Sequence, residues 1–353
     1  MDLELRVLQA EHGDAIVISI DFEGARKNIL IDGGPAKTFE FRNIPRPLKL
    51  CLNEIKSKSE FVDLLILTHV DDDHIGGLLV GFNKPGYLSD LTKEVWFNSG
   101  KLVFNHFNQP LDDSNYVILR NNTGGNTSIA QGIKLEDYLE EKNTISPIWT
   151  HPLIKAGDEF ERFGCKFKFL SPSLEKLEKL LVVWEKKKAV SNTSGANKDY
   201  SNSLDELILV DEFKEDNSIH NGSSLAFIFE YLDKSLLLLG DAHPSVIAAN
   251  LRLLGYSANK PLKVNYVKVS HHGSKANTSD ELLSLLDCNN FIISANGRHH
   301  GLPNKKTLAR ILNRFPTANL YFNYPDLIGE IFSSEELERA NFKALHCKDI
   351  ILV

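Results

Sequence analysis

Five ionisable side chains fall within six residues of the stretch Leu67-Thr68-His69-Val70-Asp71-Asp72-Asp73-His74-Ile75-Gly76-Gly77: His69, Asp71, Asp72, Asp73 and His74. Two imidazoles and three carboxylates so close would repel or desolvate one another unless a cation sat among them. A divalent metal ion meets that need. The competing account is a solvated acidic turn in which Asp73 caps the next helix. The apolar run from Phe61 to Leu67 predicts a buried strand before the stretch, and residues Asp72 to Phe82 predict a helix after it. The five groups therefore stand in a strand-to-helix loop, where open α/β architectures place their chemistry.

The same pattern recurs along the chain. A strand over Lys27 to Ile31 ends in Asp32-Gly33-Gly34. One over Ser235 to Leu239 runs into Gly240-Asp241-Ala242-His243-Pro244. One over Val264 to Val269 ends in Ser270-His271-His272-Gly273-Ser274, and one over Phe291 to Ser294 precedes Asn296-Gly297-Arg298-His299-His300-Gly301. Between strands over Leu3 to Leu8 and Ala15 to Ile20, the turn His12-Gly13-Asp14 projects an acid. Of twelve histidines, seven (His69, His74, His243, His271, His272, His299 and His300) lie in or beside strand-end loops. Scattered strand ends carrying one kind of chemistry point to one shared site.

The elements between these loops read less sharply. Helices are predicted over Leu48 to Lys58, Ile129 to Leu139, Leu174 to Lys188, Val246 to Leu254, Asp280 to Leu286 and Lys305 to Phe315. Phe160 to Leu170 fits a hairpin, and Asn319 to Phe322 and Asp349 to Val353 fit terminal strands. Polar turns are expected at 121–126 and 191–195, and Leu207 to Val210 could pack. The 353 residues suffice for a large buried core, and 42% hydrophobic with 25% charged residues describe a globular chain. A net charge of −7 excludes a surface that is basic all over, though not a local basic patch. Four scattered cysteines without a Cys-x-x-Cys spacing argue against a zinc ribbon or disulfide framework. Asp2 and Glu4 beside Met1 are unlike a signal peptide, and no run of apolar residues is long enough to span a membrane. A cytoplasmic protein is the expectation.

The order of these motifs resembles the metallo-β-lactamase fold. The nearest branch is the β-lactamase-like domain attached to bacterial DNA-uptake competence channels, with its free-standing relatives. The residues that carry the resemblance are His12 to Ala15, Ile31 to Gly34, Thr68 to Gly77, Asn221 to Ser224, Leu239 to His243, Lys268 to Ser274 and Asn296 to Pro303. It implies an α/β fold of the four-layer αββα sandwich type, as one domain over 1–353 with an insertion at about 100–220 and metal at one edge. It also implies that His69 and Asp71 serve one metal position, Asp73 and His74 the other, and that Asp241 bridges them. Either His271 or His272 completes the second position. The broad family reads His-x-His-x-Asp-His; here Asp71 replaces the second His. His220 stands in the register of a further ligand, although the branch shows Asn-Gly-Ser-Ser there. Leu302 stands where the branch has the His of Gly-His-Pro, with His299 or His300 as nearby substitutes.

The implied chemistry is hydrolysis by a metal-activated water, with Asp73, His74 and Asp241 as the catalytic group. The cofactor is one or two divalent ions, zinc or manganese. Asp in place of His is a hard anionic donor, which moves preference toward manganese or magnesium. Asp14 and Asp32 read as acids supporting ligands or turns. His243 either faces the site or starts a helix. Lys268, Lys275, Arg298, Lys305, Lys306 and Arg310 accumulate near the last two loops. Around the metal edge they would favour an anionic substrate such as a phosphodiester, a nucleotide or nucleic acid, with Lys275 and Arg298 as binding residues. Otherwise they form an ordinary solvated helix face. A binding or sensing module with a degenerate site on the same fold is the alternative function.

Overall fold

The computed structural model describes residues 3–107, 127–186, 198–347 and 350–352. Among the described residues, fourteen strands build the two main sheets. The first contains β1 (Leu3–Val7), β2 (Ile16–Phe22), β3 (Ala25–Ile31), β4 (Val62–Ile66), β5 (Val95–Trp96) and β14 (Ile350–Leu352), in the order β14-β1-β2-β3-β4-β5. The second contains β6 (Glu159–Arg162), β7 (Cys165–Ser171), β8 (Ala226–Tyr231), β9 (Lys234–Leu238), β10 (Tyr266–Lys268), β11 (Asn290–Ile293), β12 (Asn319–Phe322) and β13 (Lys343–His346). Its order runs β13-β12-β11-β10-β9-β8-β7-β6.

Alternation along the strands creates the layers. Ile16, Ile18, Ile29, Ile31, Leu64 and Ile66 face Phe167, Phe227, Phe229, Leu236 and Leu238 across the gap between sheets. The intervening residues Val17, Leu30 and Leu65 face outward, onto Leu52, Ile55, Ile75 and Leu78 of the helices Pro47–Ser57 and Asp72–Phe82. On the other side Ala226, Ile228 and Leu237 pack on Ile247, Leu251, Leu308 and Ile311 of the helices Pro244–Leu253 and Lys305–Arg314. Helix, sheet, sheet, helix is the four-layer αββα sandwich that the motifs implied. Among the described residues, no helix is long and apolar enough to cross a membrane.

The stretch at about 100–220 is woven into this frame. Its β6 and β7 extend the second sheet. Its helix Thr127–Asn143 lies on the first-sheet side, where Ile129, Ile133 and Trp184 join the outer core. Gln131 Nε2 donates to Asp72 Oδ1 at 2.6 Å, so this helix holds the acidic loop. Leu207 is buried, but Leu209 and Val210 are exposed by 84% and 71%, so the packing expected of Leu207 to Val210 is confined to its first residue. The polar turns expected at 121–126 and 191–195, and residues 187–188 of the helix expected over 174–188, lie outside the described residues.

Buried Glu136 on this helix titrates near neutrality. Burial pushes its carboxyl up to about 7, against hydrogen bonds from Ser99 and Lys101. An acid with a raised folded pKa contributes most below its ordinary 4.5, and stability is lost as pH rises to about 7. Glu136→Gln, which keeps an acceptor for Lys101 N (3.0 Å), is expected to raise the urea midpoint at pH 8 and leave it unchanged at pH 4. The gain at pH 8 is at most about 3 kcal/mol.

Candidate metal centre

Parallel pairing brings the strand ends to one edge. In the first sheet β3 and β4 run parallel with Ile31 beside Ile66, so Asp32 and the Thr68-His69 turn emerge together. In the second sheet β9, β10 and β11 run parallel, with Leu238 beside Lys268 and Lys268 beside Ile292. Asp241, the His271-His272 pair and Ser294 therefore leave at the same level. Backbone bonds stitch the loops: Asp14 N to Asp73 O (3.2 Å), Gly34 N to Asp14 O (2.7 Å), Gly33 N to His74 O (2.8 Å) and Leu225 N to Thr68 O (2.9 Å). A Cβ at Gly13 would stand 1.8 Å from Asp73 O, so only glycine admits this approach.

Asp241 is the centre. Its Oδ2 lies 3.8 Å from His69 Nε2, 3.7 Å from His271 Nε2 and 3.6 Å from His272 Nε2. Its Oδ1 lies 3.5 Å from His74 Nε2. Asp73 Oδ2 is 3.3 Å from His272 Nε2 and 3.9 Å from His74 Nε2, and Asp71 Oδ2 is 3.7 Å from His69 Nε2. His271 and His272 both adopt left-handed backbone, φ 47° and 53°. In an extended dipeptide neighbouring side chains point to opposite faces; this turn brings two adjacent imidazoles to one carboxylate oxygen.

These separations fit a cation. Most are too long for a hydrogen bond, whereas two donors about 2.1 Å from a tetrahedral ion stand about 3.4 Å apart. Among the described residues, nothing hydrogen-bonds the buried His69 Nε2, His74 Nε2, His272 Nε2 or Asp241 Oδ1. Orphaned buried polar atoms are costly unless something absent from the chain satisfies them. The other ring nitrogens are all engaged. His69 Nδ1 is 3.1 Å from Thr68 Oγ1, and His74 Nδ1 is 2.8 Å from Asp32 Oδ2, which itself accepts from Thr68 Oγ1 at 2.7 Å. His272 Nδ1 donates to Ser294 O at 3.0 Å, and His271 Nδ1 is 2.9 Å from Asn277 Oδ1. Each ring thus turns Nε2 toward the common gap, the way metal-ligating histidines are oriented.

Without an ion the carboxylates draw protons onto these rings. Burial pushes His74, His271 and His272 down, but Asp241 leads the charges that raise all three, His272 to about 9. In His69 burial and His74 prevail and its pKa is lowered. A metal ion must displace the His272 proton at neutral pH. Ion affinity is therefore expected to rise as pH rises above 7, by about tenfold per pH unit for each proton displaced, as chelator competition would report.

The structure brings together His69, Asp71, Asp73, His74, Asp241, His271 and His272. Of the two histidines left open, His272 faces Asp73 and His74, while both rings reach Asp241. Asp73 does not cap the helix Asp72–Phe82; Asp71 occupies that position, and no side-chain cap forms. Asp32 supports His74. Asp14, His74, Asp241 and His272 offer ligand atoms within 4.8 Å of one another. Yet Asp14 Oδ2 is ion-paired with Lys268, and Oδ1 lies 3.4 Å from His272 Nδ1, the nitrogen away from the gap, so Asp14 reads as support for His272. His220 Nδ1 is 2.6 Å from Asp71 Oδ1. His243 opens the helix Pro244–Leu253, with Nδ1 accepting from Lys176 Nζ at 2.9 Å and Nε2 3.8 Å from Asp216.

Other expectations are corrected. His300 is exposed and stands outside the cluster; its neighbour His299 packs tilted against His12, 4.0 Å between ring centroids. The basic accumulation is mostly interior. Lys268, Lys305 and Arg310 are 1%, 2% and 1% exposed and are paired with Asp14, Glu336 and Asp211. Lys306 shares Asp211. Lys275 and Arg298 are exposed. The residues that sequence reasoning missed are Asp216 and Asn277, behind His271. Asp216 sits in a polar stretch with no periodicity, and Asn277 follows the His271-His272 turn closely enough to have been a candidate.

Residues 11–135 match the family model described as Metallo-beta-lactamase superfamily. No curated protein matches the sequence. Among solved structures the chain is similar to YhfI, a metallo-beta-lactamase fold protein from Bacillus subtilis, at 10% identity over 99% of this chain and 98% of that one, with a TM-score of 0.41. It is similar to CmlA, a diiron beta-hydroxylase from Streptomyces venezuelae, at 12% identity over 99% of this chain and 54% of that one, TM-score 0.41. It is also similar to ETHE1 from Myxococcus xanthus, at 10% identity over 70% and 68%, TM-score 0.28. The family match over residues 11–135 falls on a four-layer sandwich with acids and imidazoles gathered at one edge, an architecture that matches the metallo-beta-lactamase fold.

Proposed function

We propose that this chain is a divalent-metal-dependent hydrolase of phosphodiesters or another anionic ester. Its motif order resembles that of the competence-channel branch, its ion is zinc or manganese at one or two positions, and it acts in the cytoplasm on a nucleotide or nucleic acid. The observation that carries the reading is the set of buried, unpartnered His69, His74 and His272 Nε2 atoms around Asp241. An ion bound there supplies Lewis acidity and lowers the pKa of water toward neutrality. The protein's part is to hold the ligands rigidly, through Asp32, Ser294 and Asn277, and to keep bulk water from His69, His74 and His272. Asp73, whose side chain is 23% exposed, stands at the rim beside His272 and can orient an attacking water and take its proton. Asp71 in place of an imidazole favours manganese over zinc. Exposed Lys275 and Arg298 support an anionic substrate.

A binding or sensing module is the second reading. The short His220–Asp71 contact favours it, because an Asp71 oxygen held by His220 is less available to an ion. Elemental analysis paired with turnover of bis(4-nitrophenyl) phosphate in Mn²⁺ and Zn²⁺ separates them. The hydrolase reading expects about one or two ions per chain and turnover lost on chelation. At most one weakly held ion and no turnover across a panel of esters would favour the module.

A further inference from the structure

We infer that Asn277, set by Asp216, is the positioning residue that fixes the tautomer of His271 and so recruits it as a metal ligand at Asp241. Asn277 is fully buried and has four hydrogen-bonding positions to satisfy. Its Nδ2 lies 3.1 Å from Asp216 Oδ2 and 3.2 Å from the carbonyl oxygen of Asp241. A carboxylate and a carbonyl only accept, so both amide hydrogens are committed and the orientation of the amide follows. Oδ1 must then face His271 Nδ1, 2.9 Å away, closer than the Asn221 Nδ2 at 3.3 Å, which donates to Asp216 Oδ2 at 2.6 Å. An amide oxygen only accepts, so Nδ1 carries the hydrogen, and the lone pair of a neutral His271 ring is on Nε2. That atom lies 3.7 Å from Asp241 Oδ2.

Asp216 is anchored independently. It accepts from Ser218 N at 2.8 Å and Asn221 Nδ2 at 2.6 Å, and its own N–H donates to Ala276 O at 3.0 Å. The loop before β8 is thus clamped onto the turn that carries His271, His272 and Asn277. His271 differs from its three companions in this respect. His69 and His74 are oriented by Thr68 and Asp32, from the first sheet, and His272 by a strand-end carbonyl. Only His271 depends on a side-chain amide whose orientation is itself set by neighbours.

The inference deepens the metal-hydrolase reading and rests on its metal site, but its test needs no turnover. Zinc-loaded protein labelled with ¹⁵N-histidine is examined by long-range ¹H–¹⁵N correlation, with His271→Gln identifying the His271 signals. Wild-type His271 is expected as the Nδ1–H form bound through Nε2. Asn277→Leu should lower ion affinity about 10- to 100-fold in chelator competition and abolish that signature. Asp216→Asn, which leaves the Asp241 carbonyl to hold Asn277, should cost less. Signals of His69, His74 and His272 bound through Nε2 in both variants report an intact fold. An Nε2–H form of His271 in the wild-type protein would overturn the inference, as would Asn277→Leu binding zinc with wild-type affinity. Bound zinc with the expected signature but no ester turnover would sink the hydrolase reading and leave this inference standing.

Discussion

Asp241→Ala is expected to cut hydrolysis of a generic phosphodiester by about 10³-fold or more, equivalent to about 4 kcal/mol of lost transition-state stabilisation. The size follows from position. Among the described residues, Asp241 alone has a carboxylate within 4 Å of all four imidazoles His69, His74, His271 and His272. Removing it would take away the central carboxylate and the negative charge that would gather a cation. The fold should survive, because the variant deletes a buried anion whose Oδ1 has no protein partner. The hydrogen bond that Asp241 N donates to Ser224 Oγ does not use the Asp241 side chain and remains. The check is turnover together with ion stoichiometry and circular dichroism. A folded variant within tenfold of wild-type turnover would remove Asp241 from the mechanism.

The largest stability effect is expected at Lys268. Its ammonium and the Asp14 carboxylate form a buried ion pair, each side chain 1% exposed. Breaking such a pair from one side costs about 3–5 kcal/mol, because the remaining charge is left buried and uncompensated. Lys268→Met should therefore lower Tm by about 4–7 °C, and Asp14→Asn with Lys268→Met should recover much of the loss. Burial pushes the Asp14 carboxyl up, but Lys268, followed by His272 and His74, holds it well below its ordinary 3.8. A depressed acid stabilises above its unfolded pKa and loses that contribution as pH falls. The gap between wild type and Lys268→Met should be full at pH 7 and shrink below about pH 4. Unchanged Tm with a raised KM would instead restore Lys268 to the substrate-binding set.

That residue also shows what a sequence can and cannot convey. The loop from His69 to His74 was legible because five charged groups beside an apolar strand have few inexpensive explanations. Helix Asp72–Phe82 was legible end to end from its acidic first turn and its apolar face, while Gly76 and Gly77 inside it admit the backbone of Ala36 and Gly33. Asp241 and the His271-His272 pair were legible as strand-end chemistry. The choice between the two histidines was not, because it depends on two successive left-handed residues. Lys268 was counted with the surface cations although it stands inside the apolar run Tyr266-Val267-Lys268-Val269, which signals burial. Lys305 and Arg310 gave no such signal, since their partners Glu336 and Asp211 are distant along the chain. Asp216 was hidden for the same reason, whereas Asn277, near His271 in sequence, was within reach but carried no mark of its role. Their meaning lies in which atoms meet, and no spacing encodes it.

The most direct test is a crystal soaked with Mn²⁺ or Zn²⁺ and measured at the absorption edge of the metal. An anomalous peak within about 2.3 Å of an Asp241 oxygen and of His74 or His272 Nε2 is the expected result. Ions found only on surface carboxylates, with His74 and His272 Nε2 still unpartnered around Asp241, would contradict it.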